Sequence, residues 1–203
     1  EISCSLVGSE MCIRDRTGRA CGCVPFFMAP GSCILANPEN CDYLAEAMEN
    51  EKKPTIIRLT KEFTFEAAHA LEGYDGLCRE IHGHSYRLFV TVKGTPCADE
   101  SNPKFGMVMD FGELKRIVNE QILSRLDHAF VMRRTAESTR VAEQIGCRFG
   151  RIVLVDYQPT CENMLADFAA RIEANLPSHV KLHALRLHET ATSFAEWMAE
   201  DNR

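Results

Sequence analysis

The chain has 203 residues, enough for one domain with an appendage and for a sizeable buried core. Its 45% apolar and 26% charged content is that of a soluble globular protein. The formal net charge of −6 argues against a general binder of nucleic acid or of anionic membrane, because phosphate-rich partners need a basic face.

The longest apolar run, Cys23–Ala36, is too short to cross a bilayer and is broken by Pro25 and Pro30. No compact basic-then-apolar order marks a secretory signal, so the expected location is the cytoplasm. Six of the ten cysteines (Cys4, Cys12, Cys21, Cys23, Cys33 and Cys41) fall in the first 41 residues, whereas all seven histidines fall from His69 onward. The early cysteines have no repeated CxxC spacing and no histidine near them, which speaks against a zinc finger. A disulfide-stapled microdomain would need an oxidising compartment, for which no signal is present. Glu1–Cys23 shows neither helical nor strand periodicity, and SLVGSEMCIRDR, Ser5–Arg16, resembles translated sequencing-adapter read-through. Residues 1–47 are therefore expected to be a non-native or disordered extension, adapter-like over 1–16. The working domain is then 48–203, with Met48 as its start. The alternative is a small native extension, in which Pro38–Asn50 forms a short helix with Tyr43, Leu44, Ala47 and Met48 on one side.

From Ile56 the pattern changes. Ile57, Leu59, Phe63, Phe65 and Ala67 alternate with Arg58, Thr60, Glu62, Thr64 and Glu66, the period of a half-buried strand, and His69 keeps the apolar parity. A loop with two glycines, Leu71–Ile81, leads to a second strand over His82–Lys93. Tyr86, Leu88, Val90 and Val92 share one face of it, and His82 and His84 share their parity. Asp110, with Glu113 three residues on, starts a helix whose stripe is Leu114, Ile117, Val118 and Ile122. Ala136–Ile145 adds a short helix, and Arg151–Tyr157 reads as a third strand. Pro159 and Thr160 open a second main helix with Met164, Leu165, Phe168, Ala169 and Ile172 inside. The last strand, Val180–Glu189, sets Glu189 on the parity of Leu185 and Leu187. This order predicts an α+β fold, an antiparallel sheet with two main helices on one face.

Two histidines at i and i+2 on a strand project to the same face, close enough to share a metal ion. Alone, the HxH pair reads equally as two polar residues at a strand entrance. With His69 on the neighbouring strand, three imidazoles share their strands' apolar parity, and burying all three without partners would be costly. Three protein ligands leave zinc one open position, the arrangement of a catalytic site. Cys78 is either a small buried apolar residue or a proton acceptor whose pKa a nearby cation would lower. Asp127-His128 reads as a polar helix end or as a carboxylate–imidazole relay. Glu189, if buried, needs a partner, and a ligand with two parallel N–H groups would satisfy it.

The motifs FEAAH, C-x3-HGHSY, G-x-V-x-DF-x-x-LK, LDH, PT-x-EN and L-x-x-HET occur in this order between about Ile56 and Trp197. Together they resemble the 6-pyruvoyl-tetrahydropterin synthase family, and the C-x3-HGH spacing is most similar to its 6-carboxy-tetrahydropterin synthase branch of queuosine biosynthesis. The resemblance implies a tunnelling fold, assembled as trimers or hexamers around a β-barrel with active sites between subunits. It implies His69, His82 and His84 as zinc ligands, Cys78 as base, Asp127 and His128 as proton relay, and Glu189 as anchor of the pterin. Thr160 and Glu162 fall where the family contacts the pterin, although a Thr before a helix is commonly just an N-cap. Cys161 stands where the family often has a small polar residue, a departure that bears on the fine pterin contacts. The implied substrate is 7,8-dihydroneopterin triphosphate, whose phosphates could meet Lys104, Lys115 or Arg133. The sister 6-pyruvoyl activity and a non-catalytic zinc- and pterin-binding protein are the alternatives. Neither nucleic acid nor membrane is an expected partner.

Overall fold

A computed structural model of the protein describes the backbone of residues 3–7, 10–14 and 20–25 and all of residues 55–202. The chain divides into two units, Glu1–Lys52 and Lys53–Arg203. In the first, β1 (Ser3–Val7), β2 (Glu10–Arg14) and β3 (Ala20–Pro25) pair antiparallel in the order β1-β2-β3. Sequence periodicity missed these strands because windows of five or six residues are too short for alternation to stand out. The helix expected over Pro38–Asn50 and the start at Met48 lie outside the described residues.

The second unit is built on a long hairpin of β4 (Ile57–His69) and β5 (His82–Gly94), paired in one unbroken antiparallel register from Ile57↔Gly94 to His69↔His82. The alternation predicted from sequence is the one that packs: Phe63, Phe65, Ala67 and His69 are buried, while Glu62, Thr64 and Glu66 between them are exposed. Helix α1 (Phe111–Val118) is capped by Asp110, whose side chain accepts from Gly112 N at 2.7 Å. The reciprocal cap expected from Glu113 does not form, because that carboxylate takes the Lys104 ammonium at 3.0 Å instead. α1 runs on through a π turn (Asn119–Leu123) and a last turn (Ser124–Leu126). Then follow β6 (Ala129–Arg133), α2 (Ala136–Gly146), β7 (Ile152–Val155), α3 (Cys161–Glu173), β8 (Lys181–His188) and β9 (Phe194–Met198).

The six-stranded sheet has the order β7-β6-β4-β5-β8-β9. It corrects the antiparallel expectation, because β6 runs parallel to both β4 and β7. The cause is connectivity: α2 carries the chain from β6 back to the starting edge of β7, and a helical crossover joins parallel strands. α1 and α3 cover one face, with Leu114, Ile117, Val118, Met164, Leu165, Phe168 and Ile172 in one core with Phe65, Leu88, Leu185 and Leu187. Phe168 is fully buried and meets Phe65 edge-on at 6.4 Å between ring centroids. Phe168→Ala is expected to cost about 3–5 kcal/mol, by the cavity it leaves. Denaturant unfolding checks this, and a loss below about 1 kcal/mol would mean the site collapses without strain. Among the described residues, no helix is long and apolar enough to cross a membrane.

Candidate metal centre

The hairpin brings its histidines together by register alone. His69 ends β4, His82 begins β5, and the two are the last cross-strand pair of the ladder. His84 lies two residues along the same face. Gly83 between them allows the close strand approach, since a Cβ there would stand 3.2 Å from the Ala67 carbonyl oxygen. One ligand nitrogen from each imidazole lies within 4.8 Å of the others.

Two backbone carbonyls fix how the rings face. His69 Nδ1–H donates to the Pro159 carbonyl at 2.7 Å, and His82 Nδ1–H donates to the Glu80 carbonyl at 2.8 Å. A carbonyl can only accept, so in the neutral rings each Nδ1 carries the proton and each Nε2 presents a lone pair. These two Nε2 atoms are 3.0 Å apart. Facing lone pairs at that range repel unless a cation lies between them. Nitrogens on one tetrahedral zinc, with Zn–N about 2.0–2.1 Å, stand roughly 3.4 Å from each other. The donor set therefore fits a zinc ion with one position left open.

Burial, the largest influence, holds the pKa of His69 below its ordinary 6.5, with His82 adding to it and the Pro159 carbonyl and Glu189 opposing. Burial likewise lowers His84. Both rings are thus neutral at pH 7, the form that binds metal. At these two rings protons compete with metal only beneath the ordinary histidine value. Metal affinity is accordingly expected to change little from pH 8 to about 7 and to be lost progressively as the pH falls below the ordinary histidine range. Competition against a chromophoric chelator checks this; a decline already under way at pH 7.5 would contradict it.

Glu189, just past β8, stands at the rim of the cluster, its Oε1 3.6 Å from both His69 Nε2 and His84 Nε2. Tyr86 donates its hydroxyl to the same oxygen at 3.3 Å and is buried, stacked on Phe65 at 5.0 Å. Burial, and then the Glu189 charge, push its phenol well above the usual range. The alternation of β5 marks Tyr86 only as a core residue, and its polar end carries no periodic signal.

Cys78 sits exposed in a 3-10 turn, Leu77–Arg79, in the loop between β4 and β5. Asp127 and His128 follow α1, where His128 adopts a left-handed backbone (φ 59°), which histidine tolerates better than most residues. Their side chains pair at 2.9 Å, Asp127 Oδ1 to His128 Nδ1, and Glu66 N–H donates to the same carboxylate at 3.1 Å. That N–H, ahead of the His128 charge, holds the Asp127 carboxyl below the usual range. Among the described residues, no hydrogen bond or ion pair ties this dyad to the imidazoles. His128 and His84 do line one cleft of about 810 Å³, with Arg148, Arg151 and Phe149.

The PT-x-EN motif serves the site through its backbone. Thr160 caps α3 by accepting from Asn163 N at 3.4 Å, and Asn163 Nδ2 holds the Gln158 carbonyl at 3.0 Å. The turn so fixed aims the Pro159 carbonyl at His69. Glu162 is exposed in the first turn of α3. Cys161 is buried, its thiol donating to the Leu187 carbonyl at 3.2 Å, and burial pushes its pKa up to about 11. Of the candidate phosphate residues, Lys104 is engaged by Glu113, and Arg133 shares a cleft of about 530 Å³ with Arg79 and Glu72.

A mixed α+β sheet with three convergent imidazoles at the end of a hairpin defines the class, and residues 58–200 match the family model described as 6-pyruvoyl tetrahydropterin synthase. The chain belongs to this family of enzymes. It is 34% identical over 143 residues to the 6-carboxy-5,6,7,8-tetrahydropterin synthase of Haemophilus influenzae, covering 70% of this chain and 99% of that protein. To the 6-carboxy-5,6,7,8-tetrahydropterin synthase of a Synechocystis species it is 33% identical over 140 residues, covering 68% and 91%. The solved 6-pyruvoyl tetrahydropterin synthase of Caenorhabditis elegans matches with a TM-score of 0.51 at 21% identity, covering 72% of this chain and 98% of that one, which shows the shared fold.

Proposed function

We propose that the protein is a zinc-dependent 6-carboxy-5,6,7,8-tetrahydropterin synthase. It converts 7,8-dihydroneopterin triphosphate and one water into 6-carboxy-tetrahydropterin, acetaldehyde and triphosphate on the route to queuosine. The observation that carries the reading is the convergence of His69, His82 and His84 beside Glu189, in a chain whose named relatives carry that activity. When bound by the three imidazoles, zinc would supply Lewis acidity toward the substrate's side-chain hydroxyls.

The chain's own residues do the rest. Glu189 accepts two parallel N–H groups of the pterin edge and so sets the ring with its side chain at the metal, which is an orientation effect. The Cys78 thiolate removes a proton from the side-chain carbon next to the ring. His128, with Nδ1 tied to Asp127, keeps Nε2 free to carry a second proton. Thr160 and Glu162 contact the pterin from the start of α3, and Arg133 and Arg79 are the candidate phosphate contacts in a cleft that Glu72 and Glu137 also line. The reading includes a cytoplasmic homo-oligomer, a trimer or hexamer closing a β-barrel, with sites between subunits. The exposed apolar side chains of Leu77, Ile81 and Phe149, which flank the loop and the large cleft, suit burial by a second copy.

Incubating zinc-loaded protein with 7,8-dihydroneopterin triphosphate tests the reading, with acetaldehyde and 6-carboxy-tetrahydropterin as the expected products. A 6-pyruvoyl product would move the protein to the sister activity. Bound pterin without product would make it a binder.

A further inference from the structure

The loop that carries Cys78 is joined to the turn that aims His69 by one side chain. Gln158 Nε2 donates to the Glu72 carbonyl at 2.9 Å, across 86 positions of sequence. Within the loop, Leu71 N–H donates to the Cys78 carbonyl at 3.0 Å, so the segment held by Gln158 is directly coupled to the residue bearing the thiol. Within the turn, the Gln158 carbonyl accepts from Thr160 N at 2.7 Å and from Asn163 Nδ2 at 3.0 Å, and the next carbonyl, Pro159, holds His69. The backbone of Gln158 is therefore as fixed as the metal site. Its side chain extends that fixity to the base loop.

The other end of the same amide argues that this contact is the reason for the residue. Gln158 Oε1 is buried and has no partner among the described residues. A buried acceptor left unpaired costs stability, and an apolar side chain of equal length would avoid that cost. Glu72 is exposed, and water would satisfy its carbonyl without the glutamine. Local stability thus gains little from an amide here, whereas the placement of the loop depends on its N–H.

We propose that Gln158 is a positioning residue: its amide clamps the Cys78 loop to the Pro159 turn and so sets the thiol against the three imidazoles. This rests on the catalytic role assigned to Cys78. A loop free to shift by about 1 Å would lose roughly a hundredfold in the step the thiol performs.

The test compares zinc-loaded wild type with Gln158→Met, which removes both the donor and the orphan acceptor, and with Gln158→Glu, which keeps the shape but turns the donor into an acceptor. In both variants kcat is expected to fall about 100-fold while KM stays within about threefold. Metal should remain at its wild-type content, and the unfolding midpoint of Gln158→Met should equal or exceed that of wild type. Hydrogen exchange of the amides in 71–81 should quicken about tenfold, with the sheet unchanged. Unchanged kcat in both variants overturns the proposal. So does a loss of kcat accompanied by loss of metal or by faster exchange throughout the domain, which would mark a merely structural role. If wild type itself forms no product, the proposed function fails, and the exchange arm still decides whether the clamp exists.

Discussion

Cys78→Ala is expected to keep its full complement of zinc and to lose turnover, with kcat lower by about 10²–10⁴, the range a positioned acid–base group contributes. The separation follows from placement. Cys78 lies in the loop, exposed, whereas the imidazoles sit on strands and take their orientation from Pro159 and Glu80. None of those contacts involves the thiol. Metal analysis together with acetaldehyde release checks both halves at once. Full activity in the variant would remove Cys78 from the mechanism, and a parallel loss of zinc would make it a ligand instead.

His82→Ala should give the opposite pattern, with metal and activity lost together. If the roughly 10–16 kcal/mol of a four-ligand zinc site is shared about evenly, one ligand carries about 3 kcal/mol, or roughly a hundredfold in affinity. His82 is the proposed ligand to remove because it is only half-buried and stands at the first position of its strand. His69, by contrast, is 3% exposed, and its loss would leave a cavity and an unpaired Pro159 carbonyl. The fold should persist, with far-UV circular dichroism unchanged and zinc absent after dialysis. Retention of zinc at wild-type affinity would mean that His69 and His84 recruit another donor.

The hairpin and both main helices were legible in the sequence because their apolar residues repeat over eight or more positions, long enough for the period to show. β6 and β9 were not. AFVMR is a short apolar run directly after a helix, and FAEWM lacks strict alternation, so neither carries a period. The parallel edge was hidden with β6, since without that strand α2 had nothing to cross over to. In the site, the imidazoles and Glu189 were visible by parity and motif. The partners that orient them were not. Pro159 and Glu80 act through carbonyls, which every residue possesses, and Tyr86 alternates like any core residue while its hydroxyl reaches Glu189.

The His69↔His82 pair also has a mechanical meaning. Beyond it the two strands separate into the loop of residues 70–81, so an ion shared by those two side chains is a hasp across the mouth of that loop. Loading the metal pins both ends of the segment at one point, and the conformational freedom still open to the loop is that of a closed ring rather than of two diverging strands. On the proposed function, capture of an ion and confinement of Cys78 would be a single event, and metal-free chains would differ from loaded ones in the freedom of that thiol as well as in the missing Lewis acid.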